Sequence, residues 1–250
     1  MTHRYLDRVY LREPVPAGSY LAALPAVRAL GDREHPLKIP APVTFLVGEN
    51  GTGKSTLLEA VAVACGFNAE GGTRNFSFST RETHSPLYRY LTVGRTAYPR
   101  DGFFLRAESF YNVATAIDEL DRVPAPAPFI RDAYGGSPHA CSHGESFFAL
   151  LHNRLGGNGL YLFDEPEAAL SPMRQMAMLT RLHQLVEEGC QFIIATHSPI
   201  LLAYPDSRIY QLDEDGVRVI SYEECAPYRL TRRFLNDYRR MTDELLADPE

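Results

Sequence analysis

Three short, almost uninterrupted apolar runs divide the chain: Val43 to Val47, Leu160 to Phe163 and Phe192 to Thr196. Runs of this length, rich in β-branched and aromatic residues, predict strands buried on both faces. Between and around them the apolar positions change to helical spacing, at Leu57, Leu58, Val61 and Cys65, then at Phe147, Phe148, Leu151 and Leu155, and again at Met176, Leu179, Leu182 and Val186. Ser171 is placed to cap the last of these helices, with Pro172 at its first position and Gly189 at its close. Strands alternating with helices predict a mostly parallel central sheet with flanking helices, an α/β architecture.

Elsewhere the pattern differs. From Phe67 to Arg106 the period falls to two, with Phe76 and Phe78 and then Leu87, Leu91 and Val93 alternating with other residues, which predicts antiparallel strands and a PRDG turn before Phe103 to Leu105. Val9 to Leu11 and Leu37 to Ile39 predict edge strands covering the Val43 strand, with a short helix in Leu21 to Leu30. Phe110 to Val123 reads as a helix ending in the semi-rigid PAPAP segment, Pro124 to Pro128. The tail predicts a hairpin turning at Asp213 to Gly216, then a charged helix from about Thr231.

Candidate chemistry begins where the first buried run ends. GENGTGKST, Gly48 to Thr56, matches the phosphate-binding loop G-x-x-x-x-G-K-[ST] in its required setting, between a strand and a helix. Asn50, Gly51, Thr52, Gly53, Lys54, Ser55 and Thr56 are the candidate nucleotide contacts. Backbone N–H groups and the helix N-terminus favour phosphate, Lys54 is suited to the β and γ phosphates, and the Ser55 hydroxyl to Mg²⁺. Lysine occurs only at Lys38 and Lys54 among 25 basic residues, so the loop holds an exception to the chain's use of arginine. A compact ammonium fits inside such a loop where a planar guanidinium does not.

The second run ends in Asp164-Glu165-Pro166-Glu167 and the third in Thr196-His197-Ser198. A carboxylate at a strand's C-terminal end complements a phosphate loop, so Asp164 is the candidate Mg²⁺ ligand. Glu165 is placed to orient and deprotonate an attacking water, and His197 to hydrogen-bond the γ phosphate or that water.

In their order these motifs resemble the ABC-type ATPases, and within them the soluble heads related to SMC and recombination-repair ATPases. CSHGE, Cys141 to Glu145, lies where that family keeps its LSGGQ signature; Ser142 and Gly144 match, whereas Cys141, His143 and Glu145 depart. The resemblance implies a P-loop fold of ABC type, ATP and Mg²⁺ as ligands, and a head-to-tail homodimer in which Ser142 and Gly144 of one copy cap the nucleotide of the other. AALSP, Ala168 to Pro172, falls at the family's D-loop with Ser171 in place of Asp. The family's Q-loop glutamine has no counterpart after Leu105, where Arg106 and Glu108 are candidates for γ-phosphate and Mg²⁺ sensing. The motifs span Gly48 to Pro199, and the full length is similar to compact stand-alone bacterial AAA-family ATPases with an SHGE-type signature.

Composition narrows this reading. A length of 250 residues suits one ABC-type ATPase domain, 1-250, divisible into a β and phosphate-loop part (1-105), a helical signature subdomain (106-156), a core bearing the two later strand ends (157-205) and a C-terminal hairpin and helix (206-250). No apolar run is long enough to span a membrane and no signal-peptide core opens the chain, so the expected location is cytoplasmic. Four scattered cysteines without a C-x-x-C pair argue against zinc or a disulfide framework. A net charge of −6 gives no general attraction to nucleic acid, although arginines gather near the C-terminus. The expected activity is hydrolysis of ATP to ADP and phosphate by an ATP-dimerised motor or switch acting on a partner protein or on DNA. Alternatives are a nucleotide-dependent regulatory subunit of a defence or toxin complex, and the energising subunit of an ABC transporter. The interval from Thr56 to Cys141 shows no heptad pattern, so no coiled-coil arms are expected.

Overall fold

A computed structural model describes residues 4–73, 84–106 and 143–247. In chain order its main elements are β1 (Leu6–Leu11), α1 (Pro25–Arg28), β2 (Leu37–Lys38), β3 (Val43–Val47), α2 (Lys54–Ala64), β4 (Leu91–Arg95), β5 (Asp101–Arg106), α3 (His143–Ala149), β6 (Gly159–Asp164), α4 (Pro172–Glu187), β7 (Gln191–Ala195), β8 (Arg208–Asp213), β9 (Gly216–Ile220), α5 (Ala226–Asn236) and α6 (Tyr238–Leu246). Among the described residues the strands form a six-stranded sheet, ordered β5-β6-β7-β3-β8-β9, and a three-stranded sheet, ordered β2-β1-β4. β5, β6, β7, β3 and β8 run parallel, and β9 returns antiparallel through the expected hairpin.

The apolar runs are continuous because each side of the large sheet has its own core. Val43, Phe45 and Val47 of β3, Tyr161 and Phe163 of β6, and Phe192 and Ile194 of β7 face one core, which includes Phe147 of α3 and Met178, Leu182 and Leu185 of α4. Leu46, Leu160, Leu162, Ile193 and Ala195 face the other, formed with α2 and the small sheet. A one-residue slip of any central strand would exchange its two sets of side chains, so the register is firmly specified. The sheets are tied by Gln191, which is fully buried. Its side-chain oxygen accepts from Tyr5 and Leu6 N–H at 2.8 and 2.9 Å, and its amide donates to Leu6 O at 2.8 Å.

Several expectations are corrected. The segment from Leu87 opens as a 3₁₀ turn, Pro86–Arg89, because Ser85 accepts from Leu87 N–H and Pro86 fixes the first helical position; strand β4 starts only at Leu91. β5 pairs parallel with β6 in the large sheet, so the PRDG segment leads from one sheet to the other instead of turning a hairpin. β1 and β2 lie in a separate small sheet that covers β3 through the core shared by Val9, Leu37, Ile39 and Leu46, but β1 is the central strand of that sheet and not an edge. On α4 the buried stripe is Met178, Leu182 and Leu185, while Met176 faces outward. The α3 helix widens into a π-helical turn, Leu150–Arg154, before Leu155. The tail helix starts at Ala226 and is broken at Asp237 into α5 and α6, neither of which buries a residue. Phe76, Phe78, the Phe110 to Val123 helix and the Pro124 to Pro128 segment lie outside the described residues.

Candidate functional site

The parallel register brings the chemistry-bearing strand ends to one edge of the large sheet. Arg106 of β5 pairs with Asp164 of β6, Asp164 with Ala195 of β7, and Ala195 with Leu46 of β3, so the chain leaves β6, β7 and β3 side by side as Glu165, Thr196-His197 and the glycine loop. Gly51 and Gly53 have φ of +84° and +89°, which only glycine adopts without strain. A Cβ at Gly48 would lie 2.3 Å from Leu212 O, so β8 packs directly on the loop's entry. Leu24 and Ala26 press on Gly53 from the other side, and Ala26 N–H donates to Thr52 O at 2.9 Å.

Lys54 begins α2 and is buried, with Nζ donating to Gly48 O at 2.8 Å and Glu49 O at 3.0 Å. Burial pushes its pKa below the ordinary lysine value, against the upward pull of Glu165, Asp164 and Glu167. Ser55 Oγ donates to Asp164 Oδ1 at 2.8 Å, although 109 residues separate them. A hydroxyl and a carboxylate oxygen side by side beneath a phosphate loop form a hard-oxygen donor pair of the kind Mg²⁺ takes alongside phosphate and water.

Glu165 holds φ +49° and ψ +52°, the left-handed region, directly before Pro166. Such a conformation costs a non-glycine residue on the order of 1–2 kcal/mol. It is held by Glu165 N–H donating to Ala195 O at 2.9 Å, which continues the β6–β7 ladder one residue further. The Glu165 carboxylate and the His197 ring are both partly exposed, with Oε1 and Nε2 3.8 Å apart. Glu167 Oε1 accepts from His197 N–H at 2.6 Å, fixing the backbone that carries the histidine. Ser198 Oγ donates to Gln175 Oε1 at 2.6 Å, and Gln175 Nε2 donates to Leu170 O at 3.0 Å, so the His197 strand end is tied to α4 and to the Ala168 to Pro172 loop. Asn50, Thr52 and Thr56 lie in or directly beside the loop, with Thr52 Oγ1 donating to Glu49 O at 2.9 Å.

Three polar atoms at this edge, Arg106 Nε, Glu167 Oε2 and His197 Nε2, are buried with no hydrogen-bond partner among the described residues. Buried polar atoms are normally satisfied, so each of these three has hydrogen-bonding capacity left for a partner outside the described residues. Ser142 and Glu108 lie outside the described residues; Gly144 lies in the first turn of α3. Glu59 and Gln175 were not singled out by sequence. Glu59 had a signal, as the one acid in the apolar stretch Leu57 to Ala64.

A family model described as "AAA domain" matches residues 26–98, which include the phosphate loop, and one described as "AAA domain, putative AbiEii toxin, Type IV TA system" matches 146–203, which include Asp164, Glu165 and His197. A curated relative, "Putative ABC transporter ATP-binding protein TTE0246" of Caldanaerobacter subterraneus subsp. tengcongensis, is 27% identical over 204 residues, covering 76% of this chain and 84% of its own. Among solved structures, "An inward-facing conformation of a putative metal-chelate type ABC transporter" is 17% identical with a TM-score of 0.50, covering 90% of this chain and 85% of that one. MJ1267, an ATP-binding cassette of an ABC transporter, is 15% identical with a TM-score of 0.50, covering 96% and 98%. The fold is therefore the α/β P-loop fold of the ABC ATPases, as the order of motifs implied. No helix among the described residues is long and apolar enough to cross a membrane.

Proposed function

We propose that this chain binds ATP with Mg²⁺ at the C-terminal edge of its large sheet and hydrolyses it to ADP and phosphate. The observation that carries the reading is the 2.8 Å contact between Ser55 and Asp164 beneath the glycine loop, with Glu165 and His197 on the adjoining strand ends. Ser55 Oγ and Asp164 would hold Mg²⁺, which when bound would supply charge neutralisation at the phosphate oxygens. Lys54 exchanges its two backbone carbonyl partners for phosphate, and the loop N–H groups of Asn50 to Thr56 cradle the rest. Glu165 orients a water for attack on the γ phosphorus and accepts its proton, and His197, within reach of Glu165, hydrogen-bonds the same water or a γ-phosphate oxygen.

The finer reading is an ATP-dependent homodimer in which Ser142 and Gly144 of a second copy close the site, making the chain a motor or switch on a protein partner or on DNA. The strained, open placement of Glu165 supports a site finished by something outside the chain. The toxin-system description of the 146–203 match favours, as a second reading, a nucleotide-dependent regulator in a defence or toxin complex. Size exclusion of Glu165→Gln with Mg²⁺ and ATP tests the dimer, with a shift to twice the monomer mass expected. A monomer at saturating ATP would remove the shared site and leave only the single-chain ATPase.

A further inference from the structure

Glu59 stands one helical turn beyond Ser55 on α2, with its side chain 8% exposed. A carboxylate so buried is strongly disfavoured unless it is paired. Its Oε2 accepts from Arg106 Nη1 at 2.6 Å, and its Oε1 accepts from Ser85 N–H at 2.8 Å. Arg106 closes β5 directly opposite Asp164 in register, and its Nε lies 3.6 Å from Asp164 Oδ2, beyond hydrogen-bond distance. The other oxygen, Asp164 Oδ1, accepts from Ser55. Ser55, Asp164, Arg106 and Glu59 thus close a ring that begins and ends on α2. Glu59 takes the guanidinium's short bond and keeps it just off the carboxylate.

We infer that Arg106, held by Glu59, is a positioning residue that offsets part of the Asp164 charge and so sets the divalent-cation concentration at which nucleotide binds. A fixed cation this close to a metal-ligand carboxylate weakens its attraction for a second cation, and in a partly buried site solvent screens that effect little. Glu59 sets the strength of the effect by holding the guanidinium back. The inference rests on the ATP-binding reading above; it adds Glu59 and gives Arg106, so far only a candidate sensor, a defined role toward Asp164.

The test is equilibrium binding of a fluorescent ATP analogue at fixed concentration across a series of MgCl₂ concentrations, read as the Mg²⁺ midpoint. Arg106→Met should lower the midpoint about tenfold, since Asp164 then loses one of the cations that offset its charge, Lys54 remaining. Glu59→Gln, whose amide oxygen can still accept from Ser85, should raise it severalfold by letting Arg106 close on Asp164. Because Arg106→Met strands a buried carboxylate, the double variant Arg106→Met/Glu59→Gln repeats the comparison with neither charge, and its midpoint should also fall below wild type. Opposite shifts in the two single variants are not produced by simple loss of packing. Midpoints within twofold of wild type, or moving in the same direction, would overturn the inference while the ATP-binding reading stands. Absence of analogue binding to wild type at every Mg²⁺ concentration would overturn both.

Discussion

The strands β5 and β6 carry a charged cluster at each end, and the two clusters differ in kind. At the N-terminal ends Asp101 accepts from Arg154 Nη1 and Nη2 at 2.9–3.0 Å, and the Tyr161 hydroxyl lies 2.9 Å from Asp101 Oδ2 and 2.6 Å from Gly156 O while accepting from Gly156 N–H. That cluster is closed on itself. At the C-terminal ends, together with the neighbouring end of β7, Arg106, Glu167 and His197 each leave a buried polar atom without a hydrogen bond among the described residues, and Glu165 is held in a left-handed conformation with its carboxylate partly in solvent. A satisfied cluster fastens two strands, whereas an unsatisfied one keeps polar capacity and backbone strain that a bound group, on the proposed reading ATP with Mg²⁺, would relieve. Burial and charge alone would not have told them apart.

The largest effect expected from this contrast is on chemistry. Glu165→Gln should cut ATP hydrolysis about 10²–10⁴-fold while leaving nucleotide affinity within a few fold, measured by phosphate release and by equilibrium binding. Near-normal hydrolysis would remove Glu165 as the base. At the closed end the pattern should invert: Tyr161→Phe should cost about 1–3 kcal/mol in urea denaturation and leave nucleotide binding unchanged. Glu165→Gly should relieve the left-handed backbone and raise stability by about 1 kcal/mol, less glycine's own entropy, while abolishing hydrolysis. If that variant is instead markedly destabilised, the Glu165 conformation carries no strain.

The smallest effect is pH-dependent. Burial acts to raise the Asp101 pKa, but the hydrogen bonds and charge of Arg154, with those of Gly102 N–H and Tyr161, outweigh it and hold it below the ordinary value. A carboxyl with a depressed folded pKa contributes stability above its unfolded pKa of about 3.9, lost as pH falls through the lower folded value. Wild-type stability should decline below about pH 4, and Asp101→Asn should flatten that part of the profile.

The sheet was legible because strands buried on both faces leave uninterrupted apolar runs, as at Val43 to Val47 and Leu160 to Phe163. Ser171 and Pro172 likewise announced the start of α4. The placement of the glycine loop between β3 and α2, and of the acids at the end of β6 and directly after it, was legible because those residue types are tied to position in the chain. What escaped was pairing across long separations. Alternation around Leu87 could not reveal that Ser85 and Pro86 would start a 3₁₀ turn, nor could β5 show that its neighbour lay more than 50 residues away. Glu59 and Arg106 are 47 residues apart, and their contact exists only once β5 joins β6. Gln191 reads as a polar residue at the edge of a run, yet it is a fully buried tie between the sheets.

Every role proposed for these strand ends depends on Mg·ATP binding at the sheet's C-terminal edge through the glycine loop. Calorimetric titration of ATP into wild type and Lys54→Ala in the presence of Mg²⁺ tests it most directly. Saturable binding to wild type, weakened at least tenfold in a folded Lys54→Ala protein, is the predicted result. Equal affinity in the two proteins, or no binding to wild type, would contradict it.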